Sequence, residues 1–191
     1  MRSFAESLRA VAPGARDAWF DDFLGLEDAL PPDGPELAPG LVPYMPCGIA
    51  TLLSAIEHAR ITKDDVFVDI GSGLGRATAF VHLMTGARAI GVEIQSHLAS
   101  RARDVARRTN AERISVIEGD ATCLVRTLEE GTVFFMYCPF SGERLRGVLD
   151  DLEPFARARP IRICAVDLPL PPCGWLELVH SARELAVYRS I

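Results

Sequence analysis

Residues 66–76 read VFVDIGSGLGR, and this stretch decides the fold. Its first half is a short apolar run rich in β-branched residues, which predicts a buried strand. Three alternating glycines follow, Gly71, Gly73 and Gly75. Glycine permits a tight turn and lets a ligand approach the main-chain N–H groups closely. A helical pattern, ATAFVHLMT at 77–85, comes directly afterwards. The stretch therefore predicts a strand, a ligand-binding turn and a helix.

The alternation of strand and helix patterns continues along the chain. Apolar runs predict five strands, at 66–70, 87–93, 113–120, 132–140 and 160–169. Helical periodicity predicts one helix before the first strand, at 48–60, and helices between the strands, at 77–85, 96–109, 121–129 and 142–157. Two further runs, 175–180 and 185–188, predict an antiparallel strand pair at the C-terminus. The prediction is an α/β fold with a doubly wound, mostly parallel Rossmann-like sheet and helices on both faces.

Residues 1–46 are predicted to be a helical and proline-rich extension of a domain that spans 47–191. Apolar residues at helical spacing between residues 3 and 30 are interrupted by Pro13 and Gly14, which predicts two short helices. Residues 31–46 contain 6 of the 13 prolines and therefore favour neither a helix nor a central strand. This segment is either a plain connector or a strap laid across a ligand pocket.

The amino-acid composition limits the classes of function that this protein can have. The chain has 191 residues, so one domain with a single core is expected. Its formal net charge of −6 argues against a protein that binds nucleic acid by neutralising the phosphates with basic side chains. The five cysteines form no C-x-x-C pair, which favours reduced thiols and predicts no zinc site. No apolar run approaches the roughly 18 residues of a membrane span. A cytoplasmic protein with no metal is the expectation.

The acidic residue that ends the second predicted strand limits the chemical class of ligand that the chain can bind. Glu93 lies 22 residues after Gly71, where a carboxylate can accept hydrogen bonds from both hydroxyls of a ribose. The third glycine of a dinucleotide-binding G-x-G-x-x-G motif is replaced by Arg76, which argues against a nicotinamide dehydrogenase. Asp69 would repel a pyrophosphate but suits a cationic amino group. A ligand with a ribose, an amino-acid end and no phosphates is indicated, and S-adenosylmethionine fits.

Over residues 42–170 the chain resembles the class I S-adenosylmethionine-dependent methyltransferases. The resemblance rests on DIGSGLG at 69–75, Glu93, the EGDA segment at 118–121 and Tyr137-Cys138-Pro139-Phe140. It implies S-adenosylmethionine as cofactor, with the ribose held by Glu93 and the adenine amino group by Asp120. The cofactor-binding residues expected on this basis are Tyr44, Asp69, Gly71, Ser72, Gly73, Gly75, Glu93, Asp120 and Ala121. The residues expected beside the transferable methyl group are Tyr137, Pro139 and Phe140.

A narrower resemblance concerns LVPYMPCGIATLL at 41–53, followed by VDIGSGLGR and GVE. These segments are similar to the seven-strand protein lysine methyltransferases of the disruptor-of-telomeric-silencing type and of the ATP synthase c-subunit type. Tyr137 and Cys138 replace the Asn/Asp-Pro of base-directed N-methyltransferases, and no basic nucleosome-binding tail is present. The resemblance implies methyl transfer to a protein lysine. A small-molecule O- or N-methyltransferase and a non-catalytic binding protein remain alternatives, and the oligomeric state is not predicted.

Methyl transfer from a sulfonium needs alignment of the acceptor and exclusion of water more than it needs an acid–base pair. An amine acceptor must arrive deprotonated, although the ordinary pKa of lysine is about 10.4. Tyr44, Tyr137 and Phe140 are therefore predicted to form an aromatic channel that favours the neutral amine. The same rings would stabilise the developing cation.

Overall fold

The computed structural model describes residues 3–26, 31–109 and 112–191. Seven strands form one sheet in the order β3-β2-β1-β4-β5-β7-β6, with β1–β5 parallel and β7 antiparallel to both neighbours. The strands are β1 Val66–Ile70, β2 Arg88–Glu93, β3 Ile114–Glu118, β4 Val133–Tyr137, β5 Arg162–Val166, β6 Leu176–Ala182 and β7 Leu185–Ser190. The predicted fold class is confirmed, including the antiparallel pair at the C-terminus.

Helices cover both faces of the sheet. They are α1 Phe4–Ala10, α2 Arg16–Leu24, α3 Ile49–His58, α4 Arg76–Thr85, α5 Ser96–Arg108, α6 Ala121–Leu124 and α7 Gly142–Ala158. Single 3-10 turns cover Pro13–Ala15 and Val125–Thr127, so the helix predicted at 121–129 is shorter and changes type. Leu30, the last apolar position of the predicted N-terminal helices, lies outside the described residues. No helix within the described ranges is long and apolar enough to cross a membrane.

Strand side chains alternate between two apolar cores. Phe67 and Phe135 point to the face covered by α1 to α4, whereas Val68 and Phe134 point to the face covered by α6 and α7. This alternation is the period-two pattern of strands, and here both faces are buried because helices lie on both sides. It explains why the sequence of the central strand β4 is almost continuously apolar, whereas the edge strand β3 carries the exposed Ser115 and Glu118.

The N-terminal helices belong to the first core. Phe20 of α2 is fully buried, and its ring packs edge-on against Phe80 of α4 with 5.2 Å between ring centroids. Phe4 of α1 contacts the same pair of rings, at 5.7 and 6.0 Å. Such edge-to-face aromatic packing adds to the free energy of burying the rings. Helices α1 and α2 are therefore packed against the glycine-loop helix α4.

Several predicted strands end earlier in the structure, and the backbone shows why. The strand expected over 132–140 stops at Tyr137, because Cys138 adopts a positive φ of 40° and Pro139 has no N–H to donate. The strand expected over 160–169 stops before Asp167, whose φ is 48°. The residues beyond these early ends are free to form loops at the carboxyl edge of the sheet.

Candidate functional site

The strand order reverses direction between β1 and β4, because the chain runs from β1 outward to β3 and then crosses to β4. In open α/β sheets ligands bind at the carboxyl edge beside such a switch point. A cleft lies there. Its walls are the residues that follow β1 to β4, together with the strap, defined as residues 31–46.

The glycine loop is built from three left-handed residues, Gly71, Gly73 and Gly75, with φ values of 80°, 53° and 77°. Two of these glycines are also in close contact with the side chain of another residue. A β-carbon at Gly73 would lie 2.0 Å from Cδ2 of Tyr44, and one at Gly71 would lie 2.9 Å from Cβ of Pro139. The loop is therefore covered by the strap on one side and by the β4 loop on the other, and only glycine fits both positions.

Glu93 at the end of β2 is buried, and both of its carboxylate oxygens accept main-chain hydrogen bonds. The Gly73 N–H donates to Oε2 at 2.7 Å, and the Gln95 N–H donates to Oε1 at 2.8 Å. Burial raises the pKa of Glu93, and these hydrogen bonds partly oppose that rise. The Ile94 N–H also hydrogen-bonds this carboxylate, so one of its about four acceptor positions remains for a further donor. Glu93 thus links the glycine loop to the ligand cleft.

Asp69 lies behind the glycine loop, in β1, and is 3% exposed. Burial, with a smaller contribution from the charge of Glu93, raises the pKa of Asp69 to about 8. With this pKa the carboxyl group is mostly protonated, and therefore neutral, at pH 7. A cation placed at the glycine loop would favour the charged form.

Asp120 follows β3 and forms the N-cap of α6. Its Oδ1 accepts hydrogen bonds from the Thr122 N–H and hydroxyl, and its Oδ2 is 2.9 Å from Nη1 of Arg144. Partial burial raises the pKa of Asp120, but the Thr122 and Arg144 contacts outweigh it and lower the pKa below its usual range. Asp120 is therefore a fixed carboxylate on the cleft wall, and it has a structural role of its own.

The far wall of the cleft comes from the β4 loop and the strap. Val42 N–H donates to the Pro139 carbonyl at 3.2 Å, and Leu41 forms an isolated β-bridge with Phe140. Tyr137 is half-buried, and burial raises its pKa, followed by the charges of neighbouring groups. Its hydroxyl therefore stays neutral at physiological pH. This wall is aromatic and aliphatic, in contrast to the carboxylates opposite.

Sequence reasoning missed Gln95, which fastens the other end of the strap. The buried Gln95 accepts a hydrogen bond from the Gly34 N–H at its Oε1, at 2.6 Å. Its own main-chain N–H is the one held by Glu93. No sequence signal identified this residue, because a lone glutamine after a strand fits many roles. The proline content did identify the strap, and the structure supports the strap reading over the plain connector.

The structure places the predicted site residues in two groups. Those that line the cleft are Tyr44, Gly71, Glu93, Asp120, Ala121, Tyr137, Pro139 and Phe140. Those that do not line it are Asp69, Ser72, Gly73 and Gly75. Ser72 packs over Gly91 of β2, where a β-carbon would lie 2.6 Å from its Oγ, and that buried Oγ has no hydrogen-bond partner. Gly75 is the N-cap of α4. These four shape the loop from behind.

The sequence predicted that the histidine and cysteine side chains do not bind a metal. Across residues 3–26, 31–109 and 112–191, no three His, Cys, Asp or Glu side chains are grouped so that they could hold a metal ion. The histidines have packing contacts instead. His82 Nδ1 lies 2.7 Å from the Ala87 carbonyl, and the rings of His58 and His180 stack at 3.5 Å.

A family model described as histone methylation protein DOT1 matches residues 47–117. The matched part runs from α3 to β3 and contains the glycine loop and Glu93, but it is less than half of the chain. No curated protein matches the sequence. The family match therefore covers the part of the sheet that carries the glycine loop and Glu93.

Solved structures match a larger share of the chain. An RNA methyltransferase from Salinibacter ruber, in complex with S-adenosyl-L-homocysteine, has a TM-score of 0.59 and 23% identity, covering 76% of this chain and 92% of that one. A protein described as a methyltransferase, yhhF from Escherichia coli, has a TM-score of 0.60 and 18% identity, covering 78% and 90%. Precorrin-6y C5,15-methyltransferase from Geobacter metallireducens GS-15 has a TM-score of 0.56 and 16% identity, covering 83% and 95%. The chain has the Rossmann-like fold of the class I methyltransferases.

Proposed function

We propose that this protein is an S-adenosylmethionine-dependent methyltransferase whose acceptor is an amine, with a protein lysine as the first candidate. The observation that carries the proposal is the two-sided cleft at the switch point. One wall presents the glycine loop and two carboxylates, and the other presents apolar and aromatic side chains. The family match over the glycine loop and the methyltransferase neighbours support the same reading.

The residues of the cleft fit such a cofactor. The acceptor position that remains on Glu93 suits a ribose hydroxyl, and Asp120 lines the cleft where it could accept from an adenine amino group. Asp69 supplies a buried carboxyl group behind the loop, and a cationic amino group bound at the loop would favour its charged form. When bound, the cofactor would supply a methyl group already activated on a sulfonium. The protein then has to align the acceptor and exclude water.

The apolar wall supports an amine acceptor. Tyr44, Tyr137 and Phe140 all line the cleft, so an acceptor nitrogen entering there leaves bulk water. A low-dielectric surrounding favours the neutral amine, which is the nucleophilic form. Aromatic rings also stabilise the cation that develops as the methyl group is transferred. A small-molecule O- or N-acceptor would use the same wall, so the acceptor class is a matter for assay.

Two measurements on the purified chain test the proposal. Calorimetry should show stoichiometric binding of S-adenosylmethionine and of S-adenosylhomocysteine, and no binding of either at millimolar ligand would refute the cofactor assignment. Release of S-adenosylhomocysteine should then be followed with lysine-containing proteins, free amines and hydroxyl acceptors. Turnover with amines alone supports the proposal, turnover with hydroxyls alone contradicts it, and binding without any turnover indicates a non-catalytic binding protein.

Glu93→Ala should weaken S-adenosylmethionine binding by about 1.5–3 kcal/mol, because a ribose hydroxyl loses a charged acceptor. The matched control is Glu118→Ala, since Glu118 ends β3 directly beside Glu93 in the sheet register but is exposed. Calorimetry on both variants checks the difference. Equal losses in the two would show that the effect is general charge removal and not a contact to the ligand.

A further inference from the structure

The side chain of Arg76, the residue directly after the glycine loop, makes polar contacts with three residues outside its own helix. It is 3% exposed, although it carries a full charge. Its Nε lies 2.6 Å from Asp21 and its Nη2 lies 2.8 Å from Asp17, both on α2. Its Nη1 donates to the main-chain carbonyl of Cys47, and its guanidinium lies 5.5 Å from the ring centroid of Phe20.

Asp17 has a second partner that draws α3 into the same network. The Ile49 N–H donates to Asp17 Oδ1 at 2.9 Å. Gly48 occupies the N-cap of α3 and has no side chain to satisfy that first-turn donor. A carboxylate from α2 therefore caps α3 from outside, and the same oxygen pairs with Arg76. The starts of α3 and α4 are thus held to one helix of the N-terminal extension.

The contact with Cys47 connects this network to the ligand cleft. Cys47 lies three residues after Tyr44 and directly follows the strap. The Tyr44 ring occupies the space in which a side chain at position 73 would lie. The segment from Tyr44 to Cys47 is therefore held at one end by Arg76 and pressed at the other onto the glycine loop. Arg76 itself does not line the cleft.

We propose that Arg76 is a positioning residue for the cofactor site, which holds Tyr44 against Gly73 by anchoring the Cys47 carbonyl to α2. Helix α2 thereby contributes to ligand affinity without touching the ligand. The inference rests on the proposed function only for its binding readout, because the anchoring itself concerns the ligand-free protein.

The chemistry of arginine accounts for its presence here. Its planar fork reaches three acceptors in fixed directions, whereas the single ammonium of a lysine cannot reach all three at once. Removal of the charge would leave Asp17 and Asp21 without their shared cation and the Cys47 carbonyl without its donor, which threatens the fold. The conservative change Arg76→Lys retains the charge and releases part of the anchor.

The control is Arg162→Lys, which alters a similar network at the opposite edge of the sheet. Arg162 pairs with Asp65 and donates to the Ala59 carbonyl at 2.6 Å, next to the amino ends of the strands. Both substitutions should lower thermal stability. Only Arg76→Lys is expected to weaken S-adenosylmethionine binding, by about tenfold, which corresponds to about 1.4 kcal/mol.

A double variant at positions 76 and 44 distinguishes a positioning role of Arg76 from a general loss of protein stability. If Arg76 acts through Tyr44, the double variant Arg76→Lys/Tyr44→Ala binds S-adenosylmethionine no more weakly than Tyr44→Ala alone. Independent, multiplicative losses would overturn the inference. So would unchanged affinity in Arg76→Lys.

Hydrogen exchange in the ligand-free protein gives a test that does not depend on the cofactor. Arg76→Lys should accelerate amide exchange over residues 44–49 and at Gly73, while Arg162→Lys should not. Unchanged exchange at these amides would overturn the inference. If the unaltered protein binds no S-adenosylmethionine, the proposed function fails, and the exchange result alone decides whether Arg76 anchors the segment.

Discussion

Asp69→Asn is expected to stabilise the ligand-free protein at pH 8 and at the same time to weaken its binding of S-adenosylmethionine. Asp69 is buried in β1, and burial next to Glu93 raises its pKa to about 8. Its charged form is therefore disfavoured in the folded protein. Asparagine has nearly the same shape and carries no charge, so it removes that cost. The same charge is what a cationic amino group would need.

The sign of the pH dependence follows from the two pKa values. The unfolded chain has the ordinary aspartate pKa of about 3.9, so between about pH 4 and pH 8 the folded protein retains a proton that the unfolded chain has released. Raising the pH through this window destabilises the fold, by at most about 1.4 kcal/mol per pH unit for one group. The advantage of Asp69→Asn should be absent near pH 4 and grow towards pH 8. Denaturant unfolding at several pH values measures it.

Asp65→Asn is a control variant that should change the free energy of unfolding in the opposite direction. Burial raises the pKa of Asp65, but hydrogen bonds from Thr62, Thr132 and Arg162 outweigh it and lower the pKa. Its stabilising contribution is present above the ordinary pKa and is lost as the pH falls through the lowered one. Asp65→Asn should therefore destabilise the protein at neutral pH. If Asp69→Asn also destabilises it there, the elevated pKa of Asp69 is refuted.

The binding loss in Asp69→Asn has its own signature. A cationic ligand lowers the pKa of Asp69, so binding near pH 7 should release protons, which calorimetry detects as a dependence on buffer ionisation enthalpy. The release should be absent in the variant. Losing one partner of a buried charge pair costs about 3–5 kcal/mol, so affinity should fall by more than about a hundredfold. Undiminished affinity would remove Asp69 from the cofactor site.

The sequence was sufficient to predict the β1–glycine loop–α4 unit and the acid at the end of β2, because both rest on local patterns of a few residues. The role of Arg76 was not predictable in this way. Arg76 appeared only as a departure from the dinucleotide motif, whereas its partners Asp21 and Asp17 lie 55 and 59 residues away in the chain. Likewise, the apolar run VFVDI predicted that Asp69 lies in a strand but did not show that Asp69 lies behind the glycine loop and not on the wall of the cleft.

The position of the strap was also not predictable from local sequence. Its prolines predicted an extended segment, but not which surface it would cover. Contacts with Gln95, Pro139 and Gly73 decide that, and each depends on the folded edge of the sheet. The consequence is that cofactor affinity should depend on how closely the strap approaches the loop, which a single methyl group can test.

Gly73→Ala adds that methyl group at the point of contact. The new β-carbon would lie 2.0 Å from Tyr44 Cδ2, and the residue would have to hold a φ of 53°. An alanine in the left-handed region costs about 1–2 kcal/mol, and overpacking costs about 1–3 kcal/mol. Because the strap has no regular secondary structure, it should move outward with Tyr44 while the sheet remains folded. S-adenosylmethionine affinity is then expected to fall by more than about a hundredfold.

Gly147→Ala provides the matched control in the same chain. Gly147 lies on the exposed side of α7, and a β-carbon there would meet nothing within 4 Å. Glycine in a helix interior is less stable than alanine by about 1 kcal/mol, so this variant should unfold at a slightly higher temperature with unchanged affinity. Calorimetry and thermal unfolding on both variants separate the two effects. If Gly73→Ala binds S-adenosylmethionine as tightly as Gly147→Ala does, the close approach of Tyr44 to the glycine loop has no part in binding.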